Sequence, residues 1–408
     1  MNILQINTVC GIGSTGQIAT NIHEMLLSLG HKSAIAFGRG EEKNCQQVIR
    51  IGNKFDNYIH VALTRIFDKH AFGSYSATKK LISKIQALNP DVIHLHNLHG
   101  YYLHIGLLFE YLKQSKKPIV WTLHDCWTFT GHCSHFDFID CKRWMIECFD
   151  CPLKSEYPKS LFIDRSKSNY QQKRLLFKGV QNMTIVTPSK WLARLVNKSF
   201  LQDYPVKVIH NGIDLRMFKP TRSNFRMRYN LEGKFILLGV ASLWSERKGY
   251  RYFIDLANHL HPDEMIVLVG VSKKQLRHLP SGVIGIENTN SSSDLAKIYS
   301  AADLFINPTL EEVLGLVNLE ALACGTPVLT FNTGGSPECL DDECGLVVER
   351  GELLGLVEAI ALIRKSGKKL FTAQCQKRVQ DWFDKDARFA EYVALYDAIY
   401  KSHNSIVC

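Results

Sequence analysis

Two glutamates, Glu312 and Glu320, stand eight residues apart in the run Pro308-Thr309-Leu310-Glu311-Glu312-Val313-Leu314-Gly315-Leu316-Val317-Asn318-Leu319-Glu320-Ala321-Leu322-Ala323-Cys324-Gly325-Thr326-Pro327-Val328. On an exposed helix such a pair means little. Here an apolar segment at 304–307 precedes it, so Glu312 falls in the loop after a strand and Glu320 lies two turns into the following helix. Gly315 lets a ligand approach the backbone where that helix begins. Free N–H groups at a helix start favour a phosphate, and a flanking carboxylate accepts bonds from sugar hydroxyls. The chemistry on offer is the binding of a phosphorylated sugar or nucleotide.

A second phosphate-type loop, Gly11-Ile12-Gly13-Ser14-Thr15-Gly16, follows the apolar run 2–7. Behind it Ile18, Ile22, Met25, Leu26 and Leu29 recur at helical spacing until Gly30. Such a loop either brings backbone amides to a phosphate or makes a tight turn for helix–strand packing. NAD would also ask for an acidic residue at the end of the second strand, where the sequence reads Phe37-Gly38-Arg39-Gly40. Only an NADP-type dinucleotide reading survives. His124, in Thr122-Leu123-His124-Asp125, ends a strand, as do His94 and His96 on the strand before it. For those two, a satisfied core role competes with one on the acceptor side.

Cys133-x7-Cys141-x6-Cys148-x2-Cys151 gathers four thiols in one loop. Structural zinc takes four such ligands tetrahedrally, often including a C-x2-C pair. Only the last pair has that spacing, so structural zinc and buried free thiols both stand open, with Cys126, His132 and His135 as substitute donors. The one Asp-x-Asp, Asp384-Lys385-Asp386, opens a helical pattern and reads as a solvated cap. No catalytic metal or other cofactor for catalysis is expected, and no carboxylate pair of the hydrolase kind stands out.

Short strand-like runs carry these residues: 2–7, 33–37, 92–95, 119–123, 184–186 and 206–209, then 235–241, 265–270, 283–286, 304–307, 327–331 and 346–348. Helical patterns between several of them imply βαβ units and parallel sheets. The boundary falls near Asn211-Gly212-Ile213-Asp214. The expected division is a Rossmann-like domain at 1–210 with a Cys-rich insertion at about 125–165, a second at 211–383, and a helix at 384–408. Phe389, Tyr392, Val393, Tyr396 and Ile399 lie on one face of that helix, which should pack back on the first domain.

With the Glu-x7-Glu block in place, the chain resembles a family 4 retaining glycosyltransferase of the GT-B fold, of the bacterial polysaccharide, O-antigen and colanic-acid type. The likeness covers nearly the whole chain: the first glycine loop, His124, Pro188-Ser189-Lys190, Asn211-Gly212-Ile213-Asp214, Arg247-Lys248-Gly249, the glutamate block and Gly334-Gly335-Ser336-Pro337-Glu338. It implies an α/β architecture of two doubly wound domains facing a cleft, acceptor-side first and nucleotide-sugar side second. In that likeness Glu320 bonds the donor ribose, and Glu312 contacts the transferred sugar near the reacting carbon. Leu314, Gly315 and Leu316 supply backbone around the diphosphate, with Gly16 also on the donor. Lys248, with Arg247, neutralises the leaving diphosphate, and His124 touches donor sugar hydroxyls. Breaking a glycosyl–phosphate bond develops the anionic charge that such cations stabilise. Glu312, His124 and Lys248 are thus the expected catalytic residues, in a front-face substitution that needs no enzyme nucleophile. The chain departs from the pattern at Val240-Ala241-Ser242-Leu243-Trp244-Ser245-Glu246, which lacks the arginine many members place there. Either Arg247 takes that role or diphosphate binding differs in detail.

The 408 residues, 46% hydrophobic and 22% charged, fit an ordinary two-domain globular protein and exclude disorder or coiled coil. The apolar runs fall short of the ~20 residues that cross a bilayer. No secretory signal opens the chain, so a cytoplasmic enzyme is expected, placed at the inner face of the plasma membrane by its net charge of +10. The expected partners are a nucleoside-diphosphate sugar, a glycan or lipid-linked oligosaccharide acceptor and an anionic membrane, with no nucleic acid. An NADP-dependent oxidoreductase would explain the first glycine loop alone. A GT-B nucleotide-sugar epimerase would share the architecture, but the glutamate block favours transfer.

Overall fold

The computed structural model describes residues 1–407. Met1–His210 with the chain from Arg388 makes one compact unit, and Asn211–Ala387 makes a second. The first holds strands β1 (Asn2–Asn7), β2 (Lys32–Phe37), β3 (Val48–Arg50), β4 (Val92–Leu95), β5 (Ile119–Thr122), β6 (Met183–Thr187) and β7 (Val206–Val208). The second holds β8 (Phe235–Val240), β9 (Glu264–Val269), β10 (Val283–Ile286), β11 (Leu304–Asn307), β12 (Val328–Phe331) and β13 (Gly345–Val348).

Both sheets are parallel, in the orders β3-β2-β1-β4-β5-β6-β7 and β10-β9-β8-β11-β12-β13. The central strands are near-continuous Val, Ile and Leu because helices cover both faces, and β4, β5, β11 and β12 are wholly buried. Chain order reverses beside β1 in one sheet and beside β8 in the other. Ligands of open α/β sheets sit outside the carboxyl ends of strands at such a point. The loops after β1 and β4, and those after β8 and β11, lie at these points.

Strand β3 has no counterpart in the sequence reading. It is three half-buried residues on a sheet edge, too short for an alternating pattern to register. The helix Gly13–Ser28 lays Ile18, Ile22 and Leu26 against the first sheet, where they join Ile3, Val92 and Val120. Phe389, Tyr392, Val393 and Tyr396 of the helix Lys385–Val407 complete that same cluster. At about 1.5–3 kcal/mol per large buried side chain, this helix is part of the core. Asp384 caps it, its Oδ1 accepting the N–H groups of Asp386 and Ala387 at 3.0 Å.

Candidate active-site residues

In the second unit the loop between β11 and the helix Leu316–Ala323 carries Glu312. Gly315 caps that helix with φ +87°, a conformation that side chains resist. Beneath it Asn307 donates to Asn318 at 2.8 Å, Asn318 to Ser336 at 2.8 Å, and Ser336 meets Thr330 at 2.8 Å. All four are buried, so the network fixes the end of β11, the helix start and the Gly334-Gly335 turn as one piece. Gly335 donates its N–H to the Glu312 carbonyl at 3.0 Å, and a Cβ on Gly334 would collide with that carbonyl.

The turn after β8 is tied to this loop. Leu310 donates its N–H to the Arg247 carbonyl at 2.8 Å, and the Arg247 guanidinium donates to the Glu311 carbonyl at 3.2 Å. Lys248 Nζ meets Glu312 Oε2 at 2.6 Å, both side chains partly exposed. Glu320 lies farther along the helix, where Tyr299 donates its hydroxyl to Oε2 at 2.9 Å. Tyr299 is fully buried, and burial pushes the Glu320 carboxyl up to about 7 against the pull of that bond. The second unit therefore offers an ammonium, a carboxylate locked on it, and a carboxyl poised near neutrality. Arg247, Lys248, Glu312, Leu314, Gly315, Leu316 and Glu320 all belong to these two neighbouring segments.

In the first unit the histidines form a ladder. Gln5, buried in β1, donates its amide N–H to the Ala19 carbonyl at 2.9 Å, which turns its Oε1 toward His96 Nε2, also at 2.9 Å. His96 Nε2 thus carries the proton, and His96 Nδ1 accepts from His124 Nε2 at 3.1 Å. His124, half-buried, is left with Nδ1 as an acceptor. Burial lowers it to about 4, Asp125 opposing only in part, so it is neutral at physiological pH. His94 bonds Thr122 at 2.8 Å and Tyr396 of the C-terminal helix at 2.6 Å. His94 and His96 are buried core residues, which decides against an acceptor-side surface for them.

Gly16 sits inside the helix Gly13–Ser28, buried, with Val9 and the Gly11 amide 3.1 and 3.2 Å from where a Cβ would be. Gly11 donates its N–H to the Gly16 carbonyl at 3.2 Å, and the Lys43 backbone covers Gly11. Both glycines are closely packed. Beside His124, Asp125 accepts from His99 at 2.8 Å and from the Trp127 N–H at 2.9 Å, and His99 meets the Tyr157 hydroxyl at 2.9 Å. Burial would raise Asp125, yet His99 and these bonds hold it at about 2. Sequence reasoning missed Gln5, Tyr299, Asn318, Ser336 and this Asp125–His99–Tyr157 chain. Gln5 alone gave a signal, a polar residue inside an apolar strand.

Cys133, Cys141, Cys148 and Cys151 line one cavity in the segment between β5 and the helix Ser166–Phe177. Among the described residues, no three of His, Cys, Asp and Glu are set to hold a metal ion.

Residues 15–216 match the family described as Glycosyltransferase Family 4, and residues 234–365 match Glycosyl transferases group 1. WcaC of Escherichia coli strain K12, named as a glycosyl transferase of colanic acid biosynthesis, is 27% identical over 88% of this chain and 90% of its own length. An Escherichia coli UDP-Gal:alpha-D-GlcNAc-diphosphoundecaprenol alpha-1,3-galactosyltransferase is 24% identical over 49% of this chain and 56% of its own. The crystal structure of HepE from Anabaena with UDP and glucose superposes with a TM-score of 0.68 over 97% of this chain and 99% of that one, at 16% identity. That likeness gives the fold, which is GT-B, and with the family matches it makes the protein a glycosyltransferase. More narrowly, the chain belongs to the family 4 glycosyltransferases.

Proposed function

We propose that this enzyme moves a sugar from a nucleoside-diphosphate donor to a lipid-linked glycan acceptor, with retention, in cell-surface polysaccharide synthesis. The observation that carries the reading is the Lys248–Glu312 pair at 2.6 Å, set on a loop whose backbone is fixed from below. Lys248 meets the charge that develops on the departing diphosphate, Arg247 adding to the local field. Glu312 holds Lys248 and reaches the transferred sugar, and the amides around Leu314, Gly315 and Leu316 face the phosphates. Glu320, with Tyr299 behind it, takes the ribose hydroxyls. On the first unit His124 Nδ1 accepts from a sugar hydroxyl, its other nitrogen being engaged by His96. HepE was crystallised with UDP and glucose, and the galactosyltransferase relative is named for a diphosphoundecaprenol acceptor; both support this donor and acceptor class.

Membrane contact draws on a surface of the first unit. The helix Lys54–Phe67 exposes Phe55, Tyr58, Ile59, Ile66 and Phe67, with Lys54, Arg65 and Lys69 around them. Leu161 bonds the Arg65 carbonyl through its N–H at 2.8 Å, bringing exposed Leu161 and Phe162 alongside. Apolar side chains rimmed by cations suit an anionic bilayer surface. Among the described residues no helix is long and apolar enough to cross a membrane.

A panel of UDP- and GDP-sugars, read by thermal stabilisation and by release of the nucleoside diphosphate, tests the donor assignment. One sugar nucleotide should raise the melting temperature and the others should not. Silence across the whole panel, with folded protein, would remove the reading. Sedimentation with vesicles should show binding to anionic lipid that Phe55→Asp with Phe162→Asp abolishes.

A further inference from the structure

The segment between β5 and the helix Ser166–Phe177 contains only three single-turn helices, at Trp127–Phe129, Asp137–Ile139 and Arg143–Met145. A connection this long with so little regular structure needs another source of order. Phe129, Phe136 and Trp144 supply part of it, with ring centroids 5.2 and 5.1 Å from Trp144. The four cysteines adjoin that cluster. The Cys133 and Cys151 thiols hydrogen-bond to each other, and Gly131 donates its N–H to Cys148 Sγ at 3.2 Å.

Two further groups mark the cavity as a place for charge. His132, which lines it, is fixed through Nδ1 to Asp68 at 2.7 Å with both side chains fully buried. Its Nε2 is buried with no hydrogen-bond partner among the described residues. A carboxylate-oriented imidazole with a vacant nitrogen is the form in which histidine ligates metals, so His132 is a spare donor beside the four thiols. Lys173 is buried as well, its ammonium held by the carbonyls of Trp127 and Thr130 at 2.7 and 3.0 Å and lying 3.5 Å from the Trp127 ring centroid. Burying an ammonium is costly, and an anionic centre beside it offsets part of that cost.

We propose that Cys133, Cys141, Cys148 and Cys151 bind one Zn²⁺ as a tetrathiolate, with Lys173 as its buried counter-charge. Four thiols lose four protons to the solvent, four Zn–S bonds form, and nothing is oxidised or reduced. The centre carries two net negative charges, which Lys173 partly offsets. The three half-buried sulfurs of Cys141, Cys148 and Cys151 close on Cys133 as the metal enters, since the sulfurs are gathered around the cavity without being set at ligand spacing. The metal then staples the segment, independently of the sugar chemistry.

Full-length protein purified without chelator should carry about one zinc per chain by elemental mass spectrometry. Less than about 0.2 per chain, after refolding with added zinc as well, would overturn the proposal. Cobalt substituted for zinc should give the visible bands of a tetrahedral thiolate site, and a spectrum without sulfur-to-cobalt charge transfer counts against it. Cys141→Ser should lower zinc content severalfold, and Lys173→Met should speed loss of zinc to a chelator severalfold while the circular dichroism is kept. A Cys133–Cys151 disulfide in anaerobically purified protein would also defeat the assignment.

Discussion

The two units share one strand order over six strands, β7 being extra in the first, and diverge at the same topological point. After β1 the first sheet places a glycine loop packed closely on Val9 and the Lys43 backbone, and beside it a ladder of neutral histidines. After β8 and β11 the second sheet places Lys248 on Glu312, with Glu320 behind. The glycines shape the chain in both. What differs is the charge that neighbouring strands deliver, and burial on one side removes protons from bases while on the other it leaves one on an acid. A glycine-rich turn at a switch point therefore defines a place, and the side chains on the next strand over decide its chemistry.

Lys248→Ala and Glu320→Ala should each cut transfer by about 10²–10³-fold, the usual cost of losing one group that stabilises developing charge or fixes the donor. A transfer assay on protein with an unchanged unfolding transition checks this, and normal activity in both would dissolve the contrast between the units. His124→Ala should cost less, about 10–100-fold, since one neutral hydrogen bond is lost.

The units should also respond to pH in opposite senses. The folded Glu320 carboxyl, at about 7 against 4.5 unfolded, keeps a proton that the unfolded chain has released. Stability of the second unit then falls as pH rises through that window, by on the order of 2 kcal/mol, and Glu320→Gln flattens the slope. His124, at about 4 against 6.5, refuses a proton that the unfolded chain accepts, and buried His94 and His96 do the same. The first unit should lose stability as pH falls below about 6.5. Amide exchange followed by unit across pH 5–8 reads both trends, and parallel slopes would contradict the proton assignments. The smallest effect belongs to the glycines: Gly16→Ala should lower stability by about 1 kcal/mol and leave donor KM within tenfold, whereas Gly315→Ala strains a positive φ next to the ligand and should raise KM.

Much of the framework was legible because parallel strands buried on both faces read as apolar runs, and twelve of them stand out. β3 was hidden by its three-residue length on an edge. In the second unit Lys248, Glu312 and Glu320 stood out through the Arg247-Lys248-Gly249 and Glu-x7-Glu motifs that carry the family resemblance. Their supports did not: Tyr299 lies on a helix that reads as core, and Asn318 and Ser336 are ordinary loop or helix polar residues until the fold pairs them. His94 and His96 looked like His124 in sequence. Tyr392 and Tyr396, some three hundred residues away, help make His94 a core residue.

That last contact bears on how the protein is made. The core of the first unit is finished by Phe389, Tyr392 and Tyr396, which leave the ribosome after everything else in it. Until then the cluster of Ile3, Ile18, Ile22 and Val92 lacks part of its cover, whereas Asn211–Ala387 is already complete in sequence. Synthesis from the N-terminus ordinarily lets the first domain mature first. Here the order inverts, and the growing chain carries an unfinished, sticky first unit until the helix Lys385–Val407 emerges.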